Sequence, residues 1–528
     1  MLLLRFTMIF RFILILLILV LLPPISAQQT QTGELPQPGL GKIVFPNSCA
    51  PPVQAAFLNG IAQLHSFQYA AAEKAFSDVI AVDPHCAIAY WGLAMTTYHP
   101  LWEGATPKAL LKGRSFLEKI KKDWPVTQRE HEYIVALEII FSADRRPGDE
   151  RIARYSLAMA EISKHYPDDG EAQAFYALSL LAIPTRGDDT ALRNQAIAIL
   201  NRLAAAQPEH PGAVHYLIHA ADTPELASEG LGAARRYAKI APASSHALHM
   251  PAHIFVRLGL WQESIDSNQA AAVAAAEATQ HHMGEAHYQF HAMDFLNYSY
   301  MQLGEEAKAR QVIEDLNKVP GRTEDVTTNM RISLMTRNLL ELHRWKQALA
   351  MEPQGDAQDL QMIYELHAIA AARTGDVKLA RENLKGLETA IKHDREGSRN
   401  IKALRLQTSK AWIDYAQGKQ GKALKQMRAM ADRQDSDDPG PFAVTAREML
   451  ADMLLELHQP GPALAEYEAV LRLAPNRFNP LYGAARAAQL AGKSDKAKNY
   501  YTRLRENCPP QADREELQNT GTEAIGSN

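Results

Sequence analysis

Along most of the chain, apolar residues recur three and four positions apart, and no stretch sustains the alternation of a half-buried strand. The same punctuation returns from unit to unit. Val53 to Pro84 carries Gly60, Tyr69, Ala72 and Phe76 before a closing Asp83-Pro84. Small and aromatic residues at these offsets suit two closely packed antiparallel helices that stop at proline. Similar groups follow: Gly259, Trp261 and Ala271; Gly304, Ala307 and Ala309; Gly375, Ala380 and Leu384; Gly418, Ala423 and Met427. Two more close the series, one with Ala451, Ala463, Tyr467 and Pro475, the other with Ala485, Gly492, Ala497 and Tyr501. The pattern predicts an all-α chain of helix-turn-helix units, about eight to ten of them.

These offsets resemble the tetratricopeptide repeat (TPR), a helix-turn-helix of about 34 residues. The resemblance covers most of Val53 to Asn507 and implies a TPR-like superhelical solenoid in which each unit covers the apolar face of its neighbour. It weakens at His99-Pro100-Leu101-Trp102, between Trp124 and Pro167, and at Pro184 to Thr190. The expected organisation is a leader over 1–27, a Pro-, Gly- and Gln-rich linker over 28–52, an N-terminal array over 53–322, a C-terminal array over 323–510 and a frayed tail over 511–528.

The leader is read from Arg5 and Arg11, the apolar run Phe12 to Leu22, Pro23-Pro24, and small residues at Ile25-Ser26-Ala27 before Gln28. This is the order of a cleaved secretory signal, and the apolar run is shorter than the roughly 20 residues of a spanning helix. The expectation is a periplasmic or secreted protein with no transmembrane helix after cleavage. An oxidising compartment would let Cys49 and Cys86 pair; two buried thiols are the other reading. Composition adds one exclusion. Lys plus Arg number 56 against 60 Asp plus Glu, a net charge of −4, which argues against a nucleic-acid partner held through its phosphates.

Histidine is distributed unevenly. Ten of the 19 histidines lie between His210 and His291, where uniform scatter would put about three. His215 and His219, His249 and His253, and His287 and His291 are spaced four apart, so each pair stacks on one helix face. His246 lies one turn before His249, and Asp294 three residues after His291. Neutral imidazoles on neighbouring helices are suited to one transition-metal ion such as zinc, copper or iron, and cysteine is missing from the neighbourhood. The candidate ligands are His215, His219, His246, His249, His253, His287, His291 and Asp294. Asp222 and Glu285 are candidate acceptors that would fix the tautomer of a ligating ring. Pro251 should kink its helix between His249 and His253, because it has no N–H to donate to the Ala247 carbonyl.

In tetratricopeptide repeats the positions held by these histidines line the concave groove, so the resemblance implies that the pairs face one another. The stretch from His210 to Trp261, with Ser245-His246-Ala247-Leu248-His249-Met250-Pro251-Ala252-His253, is similar to a family of exported bacterial TPR proteins, as are Cys86 to Gly92 and His99 to Trp102. Known enzyme motifs are missing: Gly492-Lys493-Ser494 lacks the earlier glycine of a phosphate loop, and His131-Glu132 has no second histidine four residues after His131. Three functions remain open. The groove holds a transition metal; or it is a metal-free scaffold for a protein or peptide of the cell envelope; or the same histidines form an open site for a metal-dependent hydrolase or oxidase.

Overall fold

A computed structural model describes residues 39–101, 106–144, 146–185, 189–280, 286–395, 397–436, 440, 442 and 444–518. The leader and Glu285 lie outside the described residues. Twenty-five α-helices follow one another and, among the described residues, there is no strand. They form twelve consecutive helix pairs, more than expected, because irregular stretches such as Gln128–Ile140 with Gly148–His165 are also complete pairs. Among the described residues no helix is long and apolar enough to cross a membrane. The all-α helical-repeat fold expected from the sequence is the fold of the protein.

Close approach within the units comes from small residues. The Phe76 ring sits between Gly60 and Gly92, where a Cβ would lie only 2.7 and 2.6 Å from it. A methyl group at either position would therefore push the helices apart. Cys49 and Cys86 are joined in a disulfide, with Cα atoms 4.7 Å apart.

The chain departs from an open solenoid in one respect: it closes on itself twice. The first closure brings the first pair, Gln54–His65 and Tyr69–Val82, against the fifth, Pro211–Ala221 and Ala227–Ile240. His65 Nδ1 lies 2.9 Å from the Tyr216 hydroxyl, and the Tyr237 hydroxyl 3.2 Å from Ser66 Oγ. The end of the expected linker takes part as well. The Lys42 amide donates to the Glu209 carbonyl, the Ala243 amide donates to the Gly39 carbonyl, and Leu40, Ile43 and Phe45 are buried. Residues 39–52 are thus packed structure, because three apolar side chains there find a core to enter.

The second closure brings the last units against the middle. Trp261 Nε1 donates to the Asn476 carbonyl, and the Phe478 amide donates to Gln302 Oε1, both at 2.9 Å. Gly259 allows this approach: a Cβ there would collide with the Pro475 carbonyl, and its φ of +66° suits only glycine well. Part of the expected tail also docks. Arg514 is buried, and its amide and that of Asp513 donate to the Gly304 carbonyl. Packing continues across 322, since Arg337 pairs with Asp294 and Gln302 donates to Glu341.

Arg477 is the charged centre of the second closure. Fully buried, it pairs with Glu341 at 2.7 Å and Glu448 at 3.0 Å. Burial pushes the Glu448 carboxyl up, against the pull of Arg477. Replacing Arg477 with Met removes the counter-charge of Glu341 and should cost about 3–5 kcal/mol. The readout is the urea midpoint of the whole chain, and an unchanged midpoint would show that the closure contributes nothing to stability.

Candidate metal centre

Three consecutive inner helices place the histidines. His215 and His219 lie on Pro211–Ala221, which His210 caps by accepting the Ala213 amide through Nδ1. His246 and His249 lie on Ser245–His249, and His253 lies on Pro251–Arg257. These two short helices are one kinked rod with its joint at Met250, where the ring of Pro251 interrupts the backbone ladder. His291 lies on Ala286–Gln302.

Six of the eight expected ligands come together, and they do so as two groups of three. His215, His219 and His246 form one triad; His249, His253 and His291 form the other, with ligand atoms within 4.8 Å of one another in each. In the first triad, His215 Nε2 is 3.1 Å from both His219 Nε2 and His246 Nε2. In the second, His249 Nε2 is 3.1 Å from His253 Nε2. His287 and Asp294 do not join either group. His287 is exposed and packs against Tyr288, and Asp294 is held by Arg337 Nη1 at 2.7 Å.

The outer nitrogens establish which atoms carry protons. His215 Nδ1 is 2.6 Å from the His65 carbonyl, which can only accept, so Nδ1 bears the hydrogen and Nε2 is bare. His249 Nδ1 is 2.7 Å from Asn268 Oδ1, whose amide nitrogen donates to the Ser264 carbonyl; His249 Nε2 is bare too. His253 Nδ1 donates to Asp222 Oδ2 at 2.9 Å, and Arg257 Nε holds the other oxygen of that carboxylate at 2.9 Å. Asp222 thus sits where an acceptor that orients a ligating ring belongs. Burial would raise its carboxyl, but His253 and Arg257 more than offset this and hold it below the usual range.

The Nε2 atoms of His249 and His253 therefore face each other across 3.1 Å, where a proton or a metal ion would satisfy both, whereas in the first triad His215 Nε2 can also accept an N–H from His219 or His246. A proton satisfies one pair at a time, whereas a metal ion can satisfy all three nitrogens of a triad. The surroundings disfavour protons. Burial and the neighbouring imidazoles lower His215, His246 and His249 well below the usual range; His219 falls to about 3 and His291 to about 4 for the same reasons.

Two residues essential to this geometry carry no signal in the histidine pattern. His65 supplies the carbonyl that orients His215 and is itself held by the buried Glu171, with His65 Nε2 to Glu171 Oε2 at 2.6 Å. Phe67 places its ring 4.5 Å from that of His215, 5.6 Å from His219 and 5.7 Å from His246. Its φ of +54° is that of a left-handed turn, the position taken in other units by Gly259, Gly304, Gly375, Gly418 and Gly492. A phenylalanine where five units use glycine and two use histidine (His343, His458) is the signal that could have revealed it. Although His210, Glu171 and His65 also converge, this group has no spare lone pair for an ion: His210 Nδ1 accepts a backbone amide, and the facing nitrogens are engaged by Glu171. Burial raises the Glu171 carboxyl, but the two imidazoles outweigh it and hold it below its usual range.

The concave groove implied by the resemblance is closed at this place, because the turn of the first unit fills it. His65 and His215 are fully buried. A cavity of about 520 Å³ remains beside the first triad, lined by Tyr98, Arg151, Arg193, His219 and Asp222 among others.

No family model and no curated protein matches the chain. Among solved structures, the human IFIT1 dimer with PPP-AAAA is similar at 12% identity over 86% of this chain and 90% of that one, with a TM-score of 0.36. Naa15/Naa10 bound to HypK-THB is similar at 14% identity over 88% and 79%, with a TM-score of 0.26. The P58(IPK) TPR domain is similar at 14% identity over 90% and 100%, with a TM-score of 0.20. These scores are low, and the fold rests on the helix pairing described above.

The depressed imidazoles imply an acid-sensitive metal-free protein. Their stabilising effect is full above 6.5, the ordinary histidine value, and is lost as pH falls towards 3–4, because the unfolded chain takes up protons that the folded one refuses. Each such group removes about 1.4 kcal/mol per pH unit below 6.5. Denaturant midpoints of chelator-treated protein should drop steeply from pH 7 to pH 5. A flat profile would mean that the folded protein takes up protons on these imidazoles as readily as the unfolded chain does.

Proposed function

We propose that the protein is exported and holds transition-metal ions in its histidine centre. The observation that carries this reading is the pair of triads, with His215, His249 and His253 fixed from behind by a carbonyl, an amide oxygen and a carboxylate so that their Nε2 atoms face inward. That is the arrangement of ligating histidines with their orienting partners. An all-imidazole set suits zinc, copper, nickel or iron and is a poor host for calcium or magnesium, which need oxygen donors. His215, His219 and His246 would hold one ion and His249, His253 and His291 another. Bound metal would act there as a Lewis acid or a redox centre; the chain's own part is to orient six rings, keep them neutral and exclude bulk water with Phe67.

Export supports this reading, since the leader-like start would deliver the protein to a compartment where its disulfide is stable. A peptide partner would have to use a surface other than the inner face at the histidines, which the first unit covers.

The test is to express the chain with export intact in metal-replete medium and count bound metals by elemental mass spectrometry. The comparison is a His249→Ala/His253→Ala double variant checked by circular dichroism. Expected are near-stoichiometric metal in the parent, loss of at least one ion from the folded variant, and a thermal midpoint several degrees lower after chelation. Parent protein that carries no metal, and gains none on titration with zinc or copper, would sink the reading.

A further inference from the structure

The triads are not two separate sites that happen to share a protein. One kinked rod feeds both: Ser245–His249 gives His246 to the first and His249 to the second, and Pro251–Arg257 adds His253. They meet along two edges, with ring centres 6.2 Å apart for His246 and His249 and 6.3 Å apart for His219 and His253. An ion sits about 2 Å beyond its imidazole nitrogen, so ions in the two triads come within reach of one shared ligand.

Charge balance says what that ligand is. Two divalent ions would bring four positive charges into a setting where all six ligands are neutral. The nearby carboxylates are already matched: Asp222 by Arg257, and Asp294 by Arg337. Buried charge without a partner costs several kcal/mol. The missing negative charge must come from outside the chain. A route exists, since the cavity of about 520 Å³ has His219 and Asp222 in its wall, and Arg151 and Arg193 line it as well. Their guanidiniums are anchored on carbonyls and on Asp189, and with Asp149 and Asp222 also in the wall the cavity is a polar route of mixed charge.

We propose that the two triads bind a coupled pair of metal ions bridged by one small exogenous anion, such as hydroxide, that enters through the cavity at His219. The inference rests on the metal-binding reading and adds to it nuclearity, coupling and ligand class. It also accounts for the kink. A straight helix keeps His249 and His253 on one line of faces, whereas the joint at Met250 turns His253 towards Asp222 while His246 stays with the first triad.

Copper separates the outcomes, because bridged Cu(II) pairs lose their paramagnetic signal. Metal-free full-length mature protein is titrated with Cu(II), and any Cu(I) detected with bicinchoninate is reoxidised with ferricyanide before electron paramagnetic resonance. Expected are two Cu(II) per chain with less than about a fifth of the corresponding spin signal, and a new charge-transfer absorption on adding azide. His291→Ala, which weakens the second triad, should bind one tight copper with its full spin signal. Two coppers with full spin intensity, or a single copper, would overturn the coupled pair and leave the metal-binding reading standing. No copper, and no zinc in a parallel titration, would overturn both. The wild-type spin count decides the matter even if the variant fails to fold.

Discussion

The hydrogen bond from His215 Nδ1 to the carbonyl of His65, 2.6 Å long and spanning 150 residues of chain, is the contact on which the centre depends. It joins the first unit to the fifth, sets the tautomer of His215 and aims its bare nitrogen at His219 and His246. Everything around it keeps that carbonyl in place. Glu171 grips the ring of the same His65, and the Tyr216 hydroxyl meets its other nitrogen. The next turn then carries Phe67 over the rings. In the first triad, the orientation and tautomer of His215 and the cover over the rings thus come from one short segment, Leu64 to Gln68.

Local costs concentrate at the same place. A non-glycine residue in the left-handed region costs roughly 1–2 kcal/mol, and Phe67 accepts it. Glu171 is ionised in a fully buried setting, and several imidazoles stay neutral at pH values where they would take up a proton in solution. The second half of the chain shows its own buried charges at Arg477, but there they fasten one set of units to another. Unfavourable local features that persist where no packing purpose explains them mark functional sites.

Much of this was legible in the sequence. The i, i+4 histidine pairs and the break at Pro251 follow from helix geometry alone, and the repeat offsets gave the all-α fold. The closures were not legible, since a repeat pattern describes each unit against its neighbour and is silent about units four or five apart. For that reason the turn at Phe67, which covers the inner face, could not be foreseen from the repeat offsets. Asp294 shows a related difficulty: three residues from His291 it resembled a ligand, but Arg337 from the following unit takes it. His287 shares the spacing of the other pairs but sits in the first turn of its helix, on its exposed side. Spacing fixes a helix face, and only the neighbouring helices decide what that face meets.

The double closure also changes how the molecule can be assembled. An open repeat array folds from local contacts and can grow from any point. Here the first unit must wait for the fifth to be made, and the sixth must wait for the eleventh and twelfth. Until the first closure occurs, the three inner helices present their imidazoles to solvent without the turn that covers them. The order in which the closures form therefore decides how long the inner histidines stay open to solvent during folding.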